Sequence, residues 1–440
     1  MKKKETGISA AGLSMMALGT VIGGSFFLGS SIAIKSAGPA VIISYILGGI
    51  LVYFILFALS EMTVADAAPG SFRTFSQRAF GPAAGFVVGW VYWTGLVLAM
   101  SSEATAVSIF ISSWIPQLSV PVLGMVIIII ITLSNLLGAK RLSKLESGLA
   151  AVKLLAISGF ILTALVLVSG LIPGRPALGA GELRYEPLFP GGIKGIAGSM
   201  LIVMFTYAGF EIIGLAASET DNPNRTVPRA ITYTVIALVG LYTTAITLVL
   251  PLVPTAGLNE EASPMVIALS SKGLSWAAGI INFVLVTAIL STMLAATFGL
   301  GRMMRSLAAE GHTPAFLKDK GDIPYKGIIF SGLSMMLGLG LSFFLPKSIY
   351  IFLVSSGGFS LLFTYLVILA THYKFRRKNG CPPIGNCQLP WYPYSSWLSL
   401  GSVVVIILSM PFIPGQGTGL LAGVALLLFY IICYLLFRRR

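Results

Sequence analysis

The sequence predicts an all-α integral membrane protein with about twelve transmembrane helices. Its 440 residues are 56% hydrophobic and only 10% charged, and the mean hydropathy is +0.91, which is unlike a soluble globular chain. Apolar runs of about 20 residues recur along the whole length. Few of them alternate in the manner of β-strands, which favours helices over a barrel. No long polar stretch divides the chain, so residues 1–440 are expected to form a single membrane domain.

The predicted spans follow one another with short connections. The first six lie near residues 9–33, 38–60, 83–112, 120–138, 146–172 and 195–218. The second six lie near residues 229–253, 274–300, 326–345, 348–371, 395–413 and 417–437. The basic start of the chain imitates a signal peptide, but the first apolar run is long and has no clear cleavage site, so we interpret it as a span. Residues 301–325 look like a helical extension of span eight that ends at Gly311 and Pro314.

Positive charge is distributed unequally between alternate loops. If the N-terminus is cytoplasmic, about 22 Lys and Arg residues fall inside and about six outside, with Lys153 left within a span. This bias predicts a multi-pass protein of the cytoplasmic membrane with both termini in the cytoplasm. The net charge of +14 does not indicate nucleic-acid binding, because the cations are dispersed over short loops and form no single basic face.

The first span is interrupted near mid-depth by the segment Gly19-Thr20-Val21-Ile22-Gly23-Gly24-Ser25. Backbone that leaves the helix in hydrocarbon persists only where it lines a cavity or meets a polar ligand. Its glycines allow the helix to stop and restart, and a restarted helix offers free N–H groups that suit a carboxylate. The alternative interpretation is close helix packing through small residues.

The sixth span is interrupted in the same way by Phe205-Thr206-Tyr207-Ala208-Gly209-Phe210-Glu211. Glu211 is an ionisable group near mid-membrane, which is costly unless it faces a cavity or a partner. The unwound carbonyls of Tyr207 and Ala208 are expected to accept an ammonium group. Paired interruptions indicate a transporter binding site, and the odd number of crossings between them predicts two inverted repeats, at about 9–172 and 195–371, before extra helices at about 395–437.

Other polar side chains within spans allow two interpretations each. Burial of Lys153 would let it load and release a proton, whereas a snorkelling stem would carry its amine to the surface. Glu103 is either a wall or gating residue or a residue near the outer interface. Ser355 either faces the cavity or lets helices approach, and Ala296 is a further possible wall residue.

The remaining polar residues suggest no catalytic chemistry. Two acidic and two basic residues after the second span are expected to pair in a cytoplasmic loop: Glu61, Asp66, Arg73 and Arg78. Both histidines, His312 and His372, are placed in loops, and no metal site is expected. Cys381 and Cys387 are expected to be reduced thiols. There is no nucleotide-binding P-loop, so no cofactor is expected besides a coupling proton.

Several motifs occur in the order typical of one superfamily. They are the segment from Gly19 to Ser25, Ala68-Pro69-Gly70-Ser71-Phe72 with Gly81-Pro82 and Gly89-Trp90, and Ser218-Glu219-Thr220-Asp221-Asn222-Pro223 through Ile231. On these motifs the chain resembles the amino acid-polyamine-organocation (APC) superfamily and is most similar to bacterial amino acid permeases. The resemblance covers nearly the whole chain. It implies a LeuT-like fold of five-plus-five inverted repeats with discontinuous helices 1 and 6, two C-terminal helices, and proton-coupled uptake by alternating access.

The resemblance also implies roles for particular residues. Eight residues match the family's substrate segments in the first and sixth helices: Val21, Gly23, Gly24, Ser25, Phe205, Ala208, Gly209 and Glu211. Thr20 and Tyr207, from the same two breaks, complete the expected substrate-binding set. Phe205 matches the family's aromatic gate. Lys153 matches a fifth-helix lysine that occupies the sodium position of sodium-coupled relatives, and with Glu211 it is a candidate for proton coupling. Leu294 and Ala295 replace an Asn-Ser pair of many close relatives, which makes the pocket more apolar.

Taken together, these features predict a proton symporter for an amino acid, with a preference for a neutral or hydrophobic side chain. One alternative is an amino acid exchanger, and another is a sensor or scaffold that binds an amino acid without moving it. An enzyme is not expected, because Glu103 and Glu211 lack neighbouring nucleophiles or metal ligands. The expected partners are the substrate and the lipid bilayer, without nucleic acid or an obligate protein partner.

Overall fold

The computed structural model describes residues 8–66, 70–171, 177–211, 213–214, 220, 222–319, 321, 323–344, 349–381 and 388–437, with backbone alone at 139–147, 342 and 437. Within these ranges the chain forms α-helices and short 3-10 turns, and no β-strand. The all-helical prediction is therefore confirmed for the described residues. Several residues of the sequence motifs lie outside these ranges: Ala68, Pro69, Ser218, Glu219, Asp221 and Cys387.

We number the helices α1 to α16 in chain order. The first eight are α1 (Ala10–Val21), α2 (Gly24–Phe27), α3 (Gly29–Ala37), α4 (Val41–Ala65), α5 (Phe72–Phe80), α6 (Pro82–Ser112), α7 (Val120–Asn135) and α8 (Ala139–Ser169). The others are α9 (Gly192–Thr206), α10 (Pro223–Val249), α11 (Pro264–Ser271), α12 (Ser275–Ala309), α13 (Tyr325–Gly340), α14 (Ile349–Asn379), α15 (Tyr394–Ser409) and α16 (Gly417–Phe437).

Local sequence explains several helix ends. The side chain of Ser9 accepts a hydrogen bond from the backbone N–H of Gly12 at 3.1 Å and so caps α1. Helices α6 and α10 begin with proline, whose missing N–H would have no intrahelical partner at that position. Helix α12 extends to Ala309, and the chain leaves it at Gly311 with a φ of 73°. The predicted extension of span eight is thus confirmed.

Eight helical segments among the described residues are long and apolar enough to cross a membrane. This number is smaller than the predicted count of spans for two reasons. Helices α1, α7 and α9 are apolar but shorter than a full span, and in α1 and α9 this follows from the breaks that end them. Helix α13, at the ninth predicted span, has 16 residues and is also shorter than a full span. In addition, α2, α3 and α4 follow one another so closely that they form one segment of 42 residues.

The helices pack in two groups. The broken helices and their neighbours, α1 to α4, α9 and α10, contact one another, while α6, α7, α12 and α13 form the other group. The first break joins the two groups, because α1 contacts α12 and α2 contacts both α6 and α12. Helices α8 and α14 contact members of both. Helix α6 lies centrally, with 72% of its most apolar window buried, whereas 17% of the corresponding window of α16 is buried. An apolar surface that the protein leaves uncovered on α16 suits contact with lipid.

Three predicted placements of polar residues need correction. Helices α4 and α14 run past the predicted span ends, so Glu61 and His372 lie inside helices, buried and in contact with each other. Arg73 pairs with Glu310 at 2.5 Å and not with an acidic residue of its own loop. Its hydrogen bonds hold the pKa of the Glu310 carboxyl below the usual range. Of the four residues predicted to pair with one another, only Asp66 and Arg78 do so in the described part of the chain. Cys381 is disulfide-bonded, so the prediction of a free thiol there was wrong.

Candidate functional site

The first break separates α1 from α2. Helix α1 ends at Val21, and the next two residues are extended, with φ and ψ of −75° and 100° at Ile22 and −143° and −165° at Gly23. Helical geometry resumes at Gly24. The chain therefore leaves and re-enters the helix at the position that the glycines indicate.

The N–H groups at the start of α2 bind a carboxylate of the protein itself. The backbone N–H of Gly24 donates to Oε2 of Glu103 at 2.6 Å, and that of Ser25 donates to Oε1 at 3.0 Å. Glu103 is 3% exposed, so it does not lie at the outer interface. The sequence predicted a substrate carboxylate at the free N–H groups of this restarting helix. In the structure the carboxylate of Glu103 occupies them.

The second break follows α9, which ends at Thr206 and gives way to turns over residues 207–211. Gly209 has a φ of 104°, a conformation that side-chain-bearing residues rarely adopt. Its N–H donates to Oε2 of Glu211 at 3.0 Å. The other oxygen of this buried carboxyl accepts the hydroxyl of Tyr365 at 2.7 Å, so Glu211 stabilises the turn from within.

The two breaks contact each other although they are far apart in the chain. The hydroxyl of Thr20 lies 3.2 Å from the carbonyl oxygen of Gly209. A Cβ on Gly209 would lie only 3.1 Å from the carbonyl oxygen of Thr20, so glycine also permits the close approach. These contacts bring the two breaks together, as a shared binding site requires.

Lys153 reaches inward to the first break and is fully buried. Its ammonium donates to the carbonyl oxygen of Gly19 at 2.6 Å and to the hydroxyl of Thr292 at 2.8 Å. Thr292, on α12, in turn donates to the carbonyl oxygen of Ile22 at 3.0 Å. The side chain therefore does not snorkel to the surface, and α8 and α12 hold both sides of the break.

A small cavity of about 30 Å³ lies beside the second break. It is lined by Tyr92, Gly95, Leu96, Ala99, Phe205, Ala208, Gly209, Glu211, Gly357 and Leu361. Four of the predicted substrate-binding residues are in this set: Phe205, Ala208, Gly209 and Glu211. The wall is mostly apolar, and Glu211 is its one acidic member among the described residues.

The predicted residues of the first break do not line this cavity: Thr20, Val21, Gly23, Gly24 and Ser25. Three further predicted site residues also lie outside it. Tyr207 donates its hydroxyl to the carbonyl of Tyr45 at 2.9 Å and packs against neighbouring aromatic rings, because the turn directs it toward α4. Ser355 faces α16 at Gly419. A Cβ added to Gly419 would lie 2.4 Å from the Cβ of Ser355. Ala296 is partly buried against the core and does not line the described cavity.

Sequence reasoning missed the residues that α6 and α14 contribute. Tyr92, Leu96 and Ala99 line the cavity from one face of α6, and their spacings of four and three residues continue to Glu103. That helical spacing was a usable signal, because residues three and four apart share a face. Thr292 gave no such signal, since a threonine in an apolar helix often bonds only to its own backbone.

The profile of the amino acid permease family matches residues 12–439. The chain belongs to this family. It is 31% identical to a gamma-aminobutyric acid permease of Bacillus subtilis (strain 168), over 97% of this chain and 92% of the relative. A gamma-aminobutyric acid permease of Escherichia coli (strain K12) is 32% identical over 94% and 91%. The uncharacterized amino acid permease YtnA of Bacillus subtilis (strain 168) is 32% identical over 95% and 91%.

Membership explains why a chain of apolar helices carries irregular backbone at its centre. The protein is a multi-pass membrane permease and not an enzyme, as predicted. In this amino acid permease, the two breaks bring together backbone groups and three buried ionisable side chains, Glu103, Lys153 and Glu211. Such groups are costly inside a membrane and mark functional pathways.

Proposed function

We propose that this amino acid permease imports an amino acid together with protons, by alternating access, across the bacterial cytoplasmic membrane with both termini in the cytoplasm. The observation that carries the proposal is the carboxylate of Glu103 on the N–H groups of Gly24 and Ser25. It provides a position for a substrate carboxylate and an acid that competes for the same position.

The proposed architecture is a five-plus-five inverted repeat followed by two helices. In support, one half opens with the broken helix α1 to α3, and the other opens with α9 and the turns after it. Helices α4, α6, α7 and α8 would complete the first half, and α10, α12, α13 and α14 the second. Helices α15 and α16 would follow as the additional pair.

Proton uptake and substrate binding would be linked through Glu103. A substrate carboxylate that takes the two N–H groups leaves the Glu103 carboxylate buried without its donors, which is costly unless it is protonated. Protonated Glu103 in turn binds the N–H groups less strongly, because charge-assisted hydrogen bonds are the stronger kind. Each event therefore favours the other by the same free energy.

A change in the protonation of Lys153, on α8, would act on the backbone of the first break. Its ammonium holds the Gly19 carbonyl directly and the Ile22 carbonyl through Thr292. Loss of one proton would leave a neutral amine that binds these buried acceptors less strongly, because charge-assisted hydrogen bonds are the stronger kind. A fixed amine at this position also suits a permease coupled to protons and not to sodium, because it already supplies the cation.

The ammonium group of the substrate would lie at the second break, near Glu211 and the carbonyls of Tyr207 and Ala208. Phe205 would cover the bound molecule. The side chain would enter the adjoining cavity, whose wall includes Leu96, Ala99 and Leu361. The apolar lining favours a neutral, largely hydrophobic side chain.

The test is uptake of labelled amino acids into proteoliposomes. A thermal-shift screen of the twenty common amino acids and gamma-aminobutyric acid first selects the substrate. Accumulation driven by an imposed inward proton gradient, into liposomes free of amino acid, is the expected result. Uptake only after preloading with amino acid would indicate an exchanger, and binding without accumulation under any gradient would indicate a sensor. Either result would overturn the symport mechanism.

A further inference from the structure

A buried acidic residue far from the cavity joins three segments of the chain. Glu61, in the last turns of α4, is 0% exposed. Its Oε2 lies 2.6 Å from Nε2 of His372 and 3.4 Å from Nε of Arg376, both on α14. Its Oε1 accepts the backbone N–H groups of Gln388 at 2.6 Å and Leu389 at 2.8 Å. We call these five residues the Glu61 cluster.

The surroundings of the cluster hold its members in place. The hydroxyl of Ser60 donates to Oε1 of Gln388 at 2.6 Å. The guanidinium of Arg376 lies 4.5 Å from the ring centre of Tyr392, and the His372 ring meets the same ring edge-on at 5.9 Å. Nδ1 of His372 is buried and makes no hydrogen bond within the described part of the chain. Glu61 is therefore the polar contact that orients this ring.

The cluster connects the two packed groups of helices. Helix α4 packs against α9 and α10, and so moves with the broken helices. Helix α14 packs most extensively against α6 and also contacts α9, α15 and α16. A link between α4 and α14 therefore restrains the movement of the broken helices relative to the central helix of the other group.

The hydrogen bonds of the cluster favour two distinct arrangements of α4 and α14, one with the contact made and one with it broken, over a gradual separation of the helices. A buried carboxylate that loses its donors is strongly destabilised, so the contact is either made in full or replaced as a whole. Conformational transitions use such contacts, because packed interfaces have alternative arrangements and do not deform continuously. Apolar contacts between the same helices would give no comparable threshold.

We propose that the Glu61 cluster is a conformational latch on the side predicted to be cytoplasmic, which holds α4 against α14 and must open when the broken helices move. Its consequence for transport rests on the proposed function. The effect of the latch on the resting protein is independent of that function, because the latch restrains the two breaks whether or not a substrate is carried.

Hydrogen exchange of the full-length protein, without substrate or gradient, tests the latch. In Glu61→Gln and His372→Gln we expect about tenfold faster exchange in the anchored segment 388–393 and also in both breaks, residues 19–25 and 205–211. The control is Asp66→Asn, which removes a pair whose side chains are more than half exposed at the end of the same helix. It should leave both breaks unchanged.

Two results would overturn the latch. One is faster exchange in 388–393 alone, which would mean that Glu61 anchors a local segment only. The other is an equal effect of Asp66→Asn on the breaks. If both buried-site variants fail to fold, Ser60→Ala removes one hydroxyl of the anchor and gives a milder version of the same comparison. Failed transport with an intact exchange pattern would reject the proposed function and leave the latch in place.

Discussion

The two breaks of the central helices are held in different ways. Three other helices hold the first, through Glu103 on α6, Lys153 on α8 and Thr292 on α12. The second is held by Glu211, which binds the N–H group of Gly209 two residues before it. Tyr365, on α14, is the partner of Glu211 from another helix. A change of charge on a distant helix therefore acts on the first break directly, whereas the second carries its own carboxyl. In the proposed mechanism, coupling therefore acts at the first break, and the second keeps a more constant geometry.

The largest expected effect is that of Lys153→Ala. It leaves the Gly19 carbonyl and Thr292 without the buried amine, so we expect proton-driven accumulation to fall to background while the Kd changes by no more than about tenfold. Labelled uptake and calorimetric titration measure the two quantities. Leu155→Ala, at a side chain that is 71% exposed, is the control. Equal accumulation at every pH would remove Lys153 from the coupling mechanism.

Gly24→Ala should weaken binding by about tenfold or more. Its Cβ would lie 2.6 Å from Oε2 of Glu103 and 3.1 Å from Cβ of Ala106, and overpacking of this kind costs about 1–3 kcal/mol. The matched control is Gly159→Ala on α8, where no neighbouring atom lies within 4 Å of the new Cβ. A binding constant that matches the wild type would exclude the first break as the carboxylate position.

Glu103→Gln tests whether Glu103 competes with the substrate carboxylate for the N–H groups of the first break or contacts the substrate itself. The neutral amide should hold the N–H groups of Gly24 and Ser25 less strongly, so we expect about tenfold tighter binding at neutral pH and a flatter pH dependence. Titrations at two pH values measure this. Ser108→Ala, on the same helix, removes a hydroxyl that bonds to its own helix backbone and should change neither quantity. Weaker binding would mean that Glu103 contacts the substrate itself.

Tyr365→Phe should have the smallest effect, a rise in KM of about threefold. It removes the hydroxyl from Glu211 but keeps the ring that stacks on Phe210 at 5.2 Å, and the Gly209 amide still binds the carboxyl. Initial rates of uptake at varied substrate concentration give the KM. A loss as large as that of Lys153→Ala would show that both breaks depend equally on distant helices, and the contrast between them would fail.

Local chemistry made the positions of the breaks predictable. Glycines and an acid inside apolar runs conflict with a continuous helix in hydrocarbon, and this conflict is visible within seven residues of sequence at Gly19–Ser25 and at Phe205–Glu211. The inward direction of Lys153 was one of two open interpretations, because its reach allows either the surface or the core. Only its contact with the Gly19 carbonyl separated them.

Partners across the fold were beyond the reach of sequence. Glu103 follows Gly24 by 79 residues, and nothing in either segment indicates that the two residues are in contact. The directions of Tyr207 and Ser355 likewise depend on how far each helix is rotated about its axis. A rotation of one residue, about 100°, moves a side chain from a cavity to a neighbouring helix.

The amino acid sequence by itself determined the membrane class, the helical content and the two places where helices stop, because these depend on hydropathy and backbone freedom over short windows. The tertiary structure decided which groups meet at those places. Hydrogen bonds of about 3 Å between helices depend on packing angles and rotations, and no short window of sequence contains that information.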